Sequence, residues 1–287
     1  MRIRLLTQVI STVITNPHLP SAFARAIYQG KLKAFCVPSL NCYSCPLAVF
    51  ACPIGSIQYI FAQIRPSMAI GKYYIGLYVI GILGVVGSAV GRMACGWICP
   101  FGMLQELVYK IPSPKIQIPR FLSYLKYVVL AVMVVILPLM VVDAFGYGEV
   151  WFCKYICPAG TLEAGIPMIL LQPSLQNLIG FQFWLKVSIL VVFLGLMIPI
   201  RRPFCRTTCP LGAIYSFFNR VSVLKLSVSS DCITCDRCRK VCPMDIKVYE
   251  NPNARDCIRC LDCRKVCPVN AIEYDIGGRR IGSSEAF

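Results

Sequence analysis

The pattern C-P-x-G occurs four times in this chain, and each copy opens onto an apolar, helix-like segment: CPIGSIQ from Cys52, CPFGMLQ from Cys99, CPAGTLE from Cys157 and CPLGAIY from Cys209. A partner cysteine precedes each copy, namely Cys45, Cys95, Cys153 and Cys205. Cys52 and Cys157 are 105 residues apart (157 − 52), and Cys99 and Cys209 are 110 apart (209 − 99). The amino-terminal part therefore reads as a tandem duplication, with pseudo-repeats over about 45–115 and 153–225. Two units of one orientation imply a pseudo-two-fold axis. Such an axis brings equivalent loops face to face. Proline suits the first helical position, and the free amides and positive dipole end there favour an anionic group.

Eight further cysteines lie near the carboxyl end in two runs, CITCDRCRKVCP and CIRCLDCRKVCP. Each is C-x2-C-x2-C-x3-C-P, a spacing in which three near thiolates hold one cubane and the fourth serves the other. The expected sets are Cys232, Cys235, Cys238 and Cys267 for one [4Fe-4S] cluster, and Cys257, Cys260, Cys263 and Cys242 for the second. Zinc fits less well, because tetrahedral zinc sites use cysteine pairs. A disulfide scaffold suits small secreted domains rather than these spacings. Short β-prone pieces, VLKLSV and AIEYDI, flank the runs, so residues 226–287 read as a small α+β two-cluster domain.

The duplication extends the same chemistry to the other cysteines. One pair from each repeat completes a four-thiolate set: Cys95, Cys99, Cys205 and Cys209 at an inner site, and Cys45, Cys52, Cys153 and Cys157 at an outer one. Cys36 and Cys42 are left unassigned, and a self-contained site of Cys36, Cys42, Cys45 and Cys52 stays open.

Eighteen cysteines and 57% hydrophobic residues, with a mean hydropathy of +0.65, lie outside the ordinary soluble class. Apolar runs at about 73–91, 122–143 and 181–200 approach the roughly 20 residues that cross a bilayer. The expected fold is mainly α: a polytopic helical membrane domain over 1–225 with three or four transmembrane helices, and re-entrant half-helices after Cys52 and Cys157. Arg92, Lys110, Lys115, Arg120 and Lys126 follow the first run, and Arg201, Arg202, Arg206, Arg220 and Lys225 follow the third. This bias puts those segments and the carboxyl-terminal domain in the cytoplasm of a multi-pass inner-membrane protein, with lipid as a partner. The formal charge of +16 counts thiols as neutral. Ligation to iron lowers it, so nucleic acid is not an expected partner. The single histidine, His18, lies beside Pro17 and Pro20 and leaves a bis-histidine haem without ligands. Trp97, Trp151 and Tyr155 read as interfacial anchors.

With GRMACGWICPFGMLQE, CRTTCPLGAIYS and the two carboxyl-terminal runs in this order, the chain resembles the NapH-type membrane ferredoxins over roughly residues 70–270. That family includes the quinol dehydrogenase subunit of periplasmic nitrate reduction and the membrane parts of regulators of nitrous oxide reduction. Its two C-x3-C-P motifs fall on Cys95 with Cys99 and on Cys205 with Cys209, and its ferredoxin cysteines on the carboxyl-terminal eight. Residues 36–52 and CKYICPAG at 153–160 depart from the nitrate-reductase subunit and resemble a subgroup of four-iron four-sulfur membrane proteins from anaerobes. The resemblance implies an electron conduit from ferredoxin-type clusters through membrane clusters to a redox partner or quinone. It would be the electron-transfer subunit of an oxidoreductase complex in anaerobic respiration, with redox partner proteins on one or both faces. A quinol dehydrogenase subunit, and a redox sensor or maturation protein with structural clusters, are the alternatives. Neither a flavin attachment motif nor a quinone signature is evident.

Overall fold

In the computed structural model, which describes residues 2–71, 76–177, 179–277 and 279–281, the longer helices are α1 (Arg2–Thr15), α2 (Pro53–Ala69), α3 (Leu77–Val90), α4 (Pro100–Val108), α5 (Arg120–Met140), α6 (Pro158–Leu171), α7 (Phe181–Met197) and α8 (Pro210–Phe218). The four C-P-x-G motifs start α2, α4, α6 and α8. Proline serves there because its φ is preset and its missing amide would have had no partner within the helix. The cysteine just before each proline is extended, with ψ of 128° at Cys52, 117° at Cys99, 106° at Cys157 and 112° at Cys209. Its sulfur is thereby turned back over the first helical turn.

The expected polytopic membrane fold is not met. Among the described residues one helix, α5, is long and apolar enough to cross a membrane, at 21 residues with a mean hydropathy of 2.2. The other two apolar runs yield α3 with 14 residues and α7 with 17. At 1.5 Å per residue these are about 21 and 26 Å long, against a hydrocarbon core near 30 Å. Backbone breaks shorten them: Gly76 and Gly91 bracket α3 at φ +63° and +58°, and Arg202 stands at +54° beyond α7. Residues 73–75 of the first run lie outside the described residues. Three of the cations counted as flanking charges, Arg92, Lys126 and Arg202, are fully buried. Among the described residues the chain is mainly helical, with one small sheet.

α1 is inverted relative to a helix of a water-soluble core. Arg4, Gln8 and Thr15 are buried, whereas Ile3, Leu6, Val13 and Ile14 are more than half exposed. The polar face is used: Arg4 pairs with Glu106 at 2.7 Å and Asp262 at 3.1 Å, and the Gln8 amide donates to the Gly96 carbonyl at 2.9 Å. α1 thus joins α4 to the carboxyl-terminal segment.

The β-prone pieces form the expected strands. β1 (Leu224–Val228), β2 (Ile272–Ile276) and β3 (Arg279–Ile281) make an antiparallel sheet in the order β1-β2-β3, with Leu226 opposite Tyr274. Both cysteine runs fall between β1 and β2. Asn253 bridges back to this sheet by accepting from the Leu226 amide at 3.0 Å and donating to its carbonyl at 2.9 Å.

Candidate iron-sulfur sites

At the inner site the starts of α4 and α8 bring Cys95, Cys99, Cys205 and Cys209 together, all buried. Burial pushes the Cys99 thiol up to about 12, and the neighbouring Cys205 and Cys95 sulfurs push the same way. A thiol so placed stays protonated at neutral pH unless a metal displaces the proton. Donors surround the sulfurs. The Gly102 and Gly212 amides donate to Cys99 and Cys209 at 3.4 Å, and the Gln105 amide donates to Cys205 at 3.0 Å.

Two arginines cross between the repeats at this site. The Arg92 guanidinium donates to the Cys205 carbonyl at 2.6 Å, and the Arg202 guanidinium to the Cys95 carbonyl at 2.8 Å. Each arginine stands three residues before the leading inner-site cysteine of its own repeat (95 − 92 and 205 − 202). The motif glycines admit them. A methyl group on Gly212 would lie 2.6 Å from the Arg92 guanidinium, and one on Gly102 would lie 3.2 Å from that of Arg202.

At the outer site Cys42, Cys52, Cys153 and Cys157 line a cavity of about 770 Å³. The sequence expectation named Cys45 here, but the structure brings Cys42 to the other three. The Cys45 sulfur faces Glu163 and Lys33 instead, and Cys36 meets the Ser56 hydroxyl at 3.4 Å. The register has a physical marker in the sixth residue after three of the four motif cysteines; after Cys209 that residue is Tyr215, whose hydroxyl donates to the Pro38 carbonyl at 3.2 Å. Gln58 donates to Cys153 at 3.1 Å as Gln105 does to Cys205, so the first repeat reaches the leading cysteine of the second at both sites. Glu163, six residues after Cys157, reaches back the other way and accepts from the Cys42 amide at 2.6 Å. Cys42 is therefore the counterpart of Cys153. Burial pushes the Glu163 carboxyl up to about 7 against the pull of that amide.

The carboxyl-terminal sets are also gathered. Cys232, Cys235, Cys238 and Cys267 ring a small cavity of about 20 Å³ with Val228 and Ile272. Cys263 neighbours Cys260, Cys257 and Cys242, and burial pushes Cys257 up to about 11 and Cys260 to about 12. This second set is clamped to the inner site. Asp256 pairs with Arg92 at 2.7 Å, the Trp97 indole donates to the Arg259 carbonyl at 3.0 Å, and Asn219 donates to the Cys257 carbonyl at 2.7 Å. A methyl group on Gly96 would sit 2.6 Å from the Ile258 carbonyl oxygen. Trp97 is thus a docking residue rather than an interfacial anchor. His18 accepts from the Ser21 amide at 3.2 Å and packs on Tyr28.

All eighteen cysteines are free of disulfides. Among the described residues no three cysteine, histidine, aspartate or glutamate side chains converge tightly enough for a single metal ion. A mononuclear site would need four sulfurs each about 2.3 Å from one centre. Thiol quartets fed by amide and side-chain N–H groups suit an anionic iron-sulfur cluster.

Comparison with known proteins agrees with this chemistry. One family model, described as a 4Fe-4S binding domain, matches residues 73–119, 126–167 and 182–229, and a second of the same description matches 251–273. Two uncharacterized proteins of Methanocaldococcus jannaschii are each 32% identical, over 192 and 193 residues; both alignments cover 63% of this chain, and they cover 70% and 63% of the relatives. The methylamine utilization ferredoxin-type protein MauN of Methylobacillus flagellatus is 28% identical over 161 residues, 53% of this chain and 48% of its own length. No solved structure matches the chain. The chain carries 4Fe-4S binding domains and belongs to the NapH-type, polyferredoxin-like family of iron-sulfur electron-transfer proteins.

Proposed function

We propose that the chain is an electron relay with four [4Fe-4S] sites, two in a carboxyl-terminal unit over 226–287 and two in a helical unit over 1–225. Cys232, Cys235, Cys238 and Cys267 would hold the first cluster, Cys242, Cys257, Cys260 and Cys263 the second, Cys95, Cys99, Cys205 and Cys209 the inner one, and Cys42, Cys52, Cys153 and Cys157 the outer one. Each cluster supplies one-electron exchange when bound. The observation that carries the reading is the seating of the 254–262 segment on the inner quartet through Asp256, Cys257 and Arg259. Short separation and exclusion of water are what such a relay requires of the protein. The exposed apolar side chains of α1 and the length of α5 support association with a membrane. Redox partner proteins would exchange electrons at the ends of the series.

Anaerobic iron and sulfide analysis tests this. The purified chain should carry about sixteen irons, four for each cubane. Cys205→Ala and Cys153→Ala should each lose about four of them, while Cys45→Ala should retain the full complement. Wild-type iron in Cys205→Ala would remove the inner site, and loss in Cys45→Ala would restore Cys45 to the outer one.

A further inference from the structure

Arg92 and Arg202 are among the largest fully buried side chains, and electron relay alone does not call for them. Burying a guanidinium costs free energy unless the interior uses its charge. Each is only partly compensated. Asp256 serves Arg92 together with the fully buried Lys126, and Glu106 serves Arg202 together with Arg4, so two cations share each carboxylate. Among the described residues Arg92 Nε and one terminal nitrogen of Arg202 have no hydrogen-bond partner. The Arg92 charge acts on Cys95, Cys205 and Cys209, and that of Arg202 on Cys205, Cys99 and Cys260.

The outer site lacks this arrangement. Three residues before its leading cysteines stand Ser39 (42 − 3) and Val150 (153 − 3), where the inner site has the two arginines. The charged groups that face it are the buried Glu163, the half-buried Lys186, and Lys33, whose ammonium is turned to the Ala48 carbonyl at 2.6 Å. Donation to sulfur is comparable at the two sites: Gln58, Gly160 and the backbone amides of Ser44, Ile54 and Gly55 supply it at the outer site, and Gln105, Gly102 and Gly212 at the inner one, so the arginines are what set the inner site apart.

We propose that Arg92 and Arg202 hold the inner cluster at a higher reduction potential than the outer one, so that an electron shared between the two rests at the inner site. The inference depends on the relay reading of the two quartets. Reduction adds negative charge to a cluster, and a positive charge fixed in a poorly polarisable interior favours the reduced form far more than a solvated one does. The arginines are positioning and tuning residues. They bond to the carbonyls of the ligand loops.

The test is a potentiometric titration of the fully loaded protein followed by low-temperature electron paramagnetic resonance. The inner signal is identified by its loss in Cys205→Ala and the outer by its loss in Cys153→Ala. The inner couple should lie above the outer. Arg202→Met should lower the inner reduced-to-oxidised ratio about tenfold at fixed potential, about 59 mV for a one-electron couple, and leave the outer couple in place. Arg202→Lys should keep most of the wild-type value, and Glu106→Gln should move the inner couple upward. An unshifted couple in loaded Arg202→Met, equal shifts in the Met and Lys variants, or an outer couple above the inner would overturn the proposal. If Arg202→Met does not assemble, Glu106→Gln decides by sign, since no change or a fall overturns the proposal. A wild-type protein without the Cys205-dependent signal would instead refute the relay reading beneath it.

Discussion

Replacing Asp256 with alanine should lower the stability of the folded chain by about 3 kcal/mol, the low end of the cost of breaking a buried ion pair. The carboxylate is shared by Arg92 and Lys126, both fully buried, and without it two cations face an interior that cannot solvate them. Asp256 itself is 28% exposed, and solvent screening takes the expectation to the lower bound rather than the upper. Glu250→Ala is the control. Its partner Lys247 is 31% exposed and Glu250 54%, and a pair so open to water is worth no more than about 1 kcal/mol. For a chain with two units the relevant reading is the first thermal transition rather than a global free energy. At about 2–4 °C per kcal/mol, Asp256→Ala should move that transition by at least about 6 °C and Glu250→Ala by no more than about 4 °C. Equal shifts would mean that Asp256 does not hold the carboxyl-terminal unit in place.

Asn219→Ala should cost a similar amount by a different route. Asn219 ends α8 fully buried, accepts from the Arg92 amide at 2.8 Å, and donates to the carbonyls of Ala254 at 3.0 Å, Arg255 at 3.1 Å and Cys257 at 2.7 Å. One side chain therefore satisfies four backbone groups of two segments far apart in sequence. Leaving a buried polar group unpaired costs about 1–3 kcal/mol, and partial relaxation brings the expected total to about 3 kcal/mol or more. Hydrogen exchange locates the effect. Amides of the 254–260 segment should exchange faster in the variant while those of β1 and β2 keep their protection. Uniform loss of protection would show that the whole chain, not the docking, depends on Asn219.

Much of this arrangement was legible in the residues. The prolines mark helix starts because their constraint is local. The strands at Leu224–Val228 and Ile272–Ile276 likewise coincide with their β-prone sequences. What escaped depends on the third dimension. Apolar run length overstated helix length, since Gly76, Gly91 and Arg202 take left-handed backbone that hydropathy does not register. Arg92 and Arg202 counted as flanking charges because a charge count presumes exposure, yet both are interior. Cys42 and Cys45 are indistinguishable by spacing. The distinction lies in the residue six places after three of the motif cysteines, Gln58, Gln105 and Glu163, which reach Cys153, Cys205 and Cys42 across the two halves. Trp97 resembled an anchor because an indole beside an apolar run has that look, and its bond to the Arg259 carbonyl spans 162 residues.

The crossed arginines make each half of the inner site depend on the other. Arg92 finds its carbonyl on Cys205 and Arg202 finds its own on Cys95. Residue i of one unit meets residue j of the other while j meets i, which is the signature of an isologous two-fold contact. A lone repeat can satisfy neither its guanidinium nor a four-thiolate site. The contact has the geometry of a symmetric two-fold interface, carried here within one polypeptide.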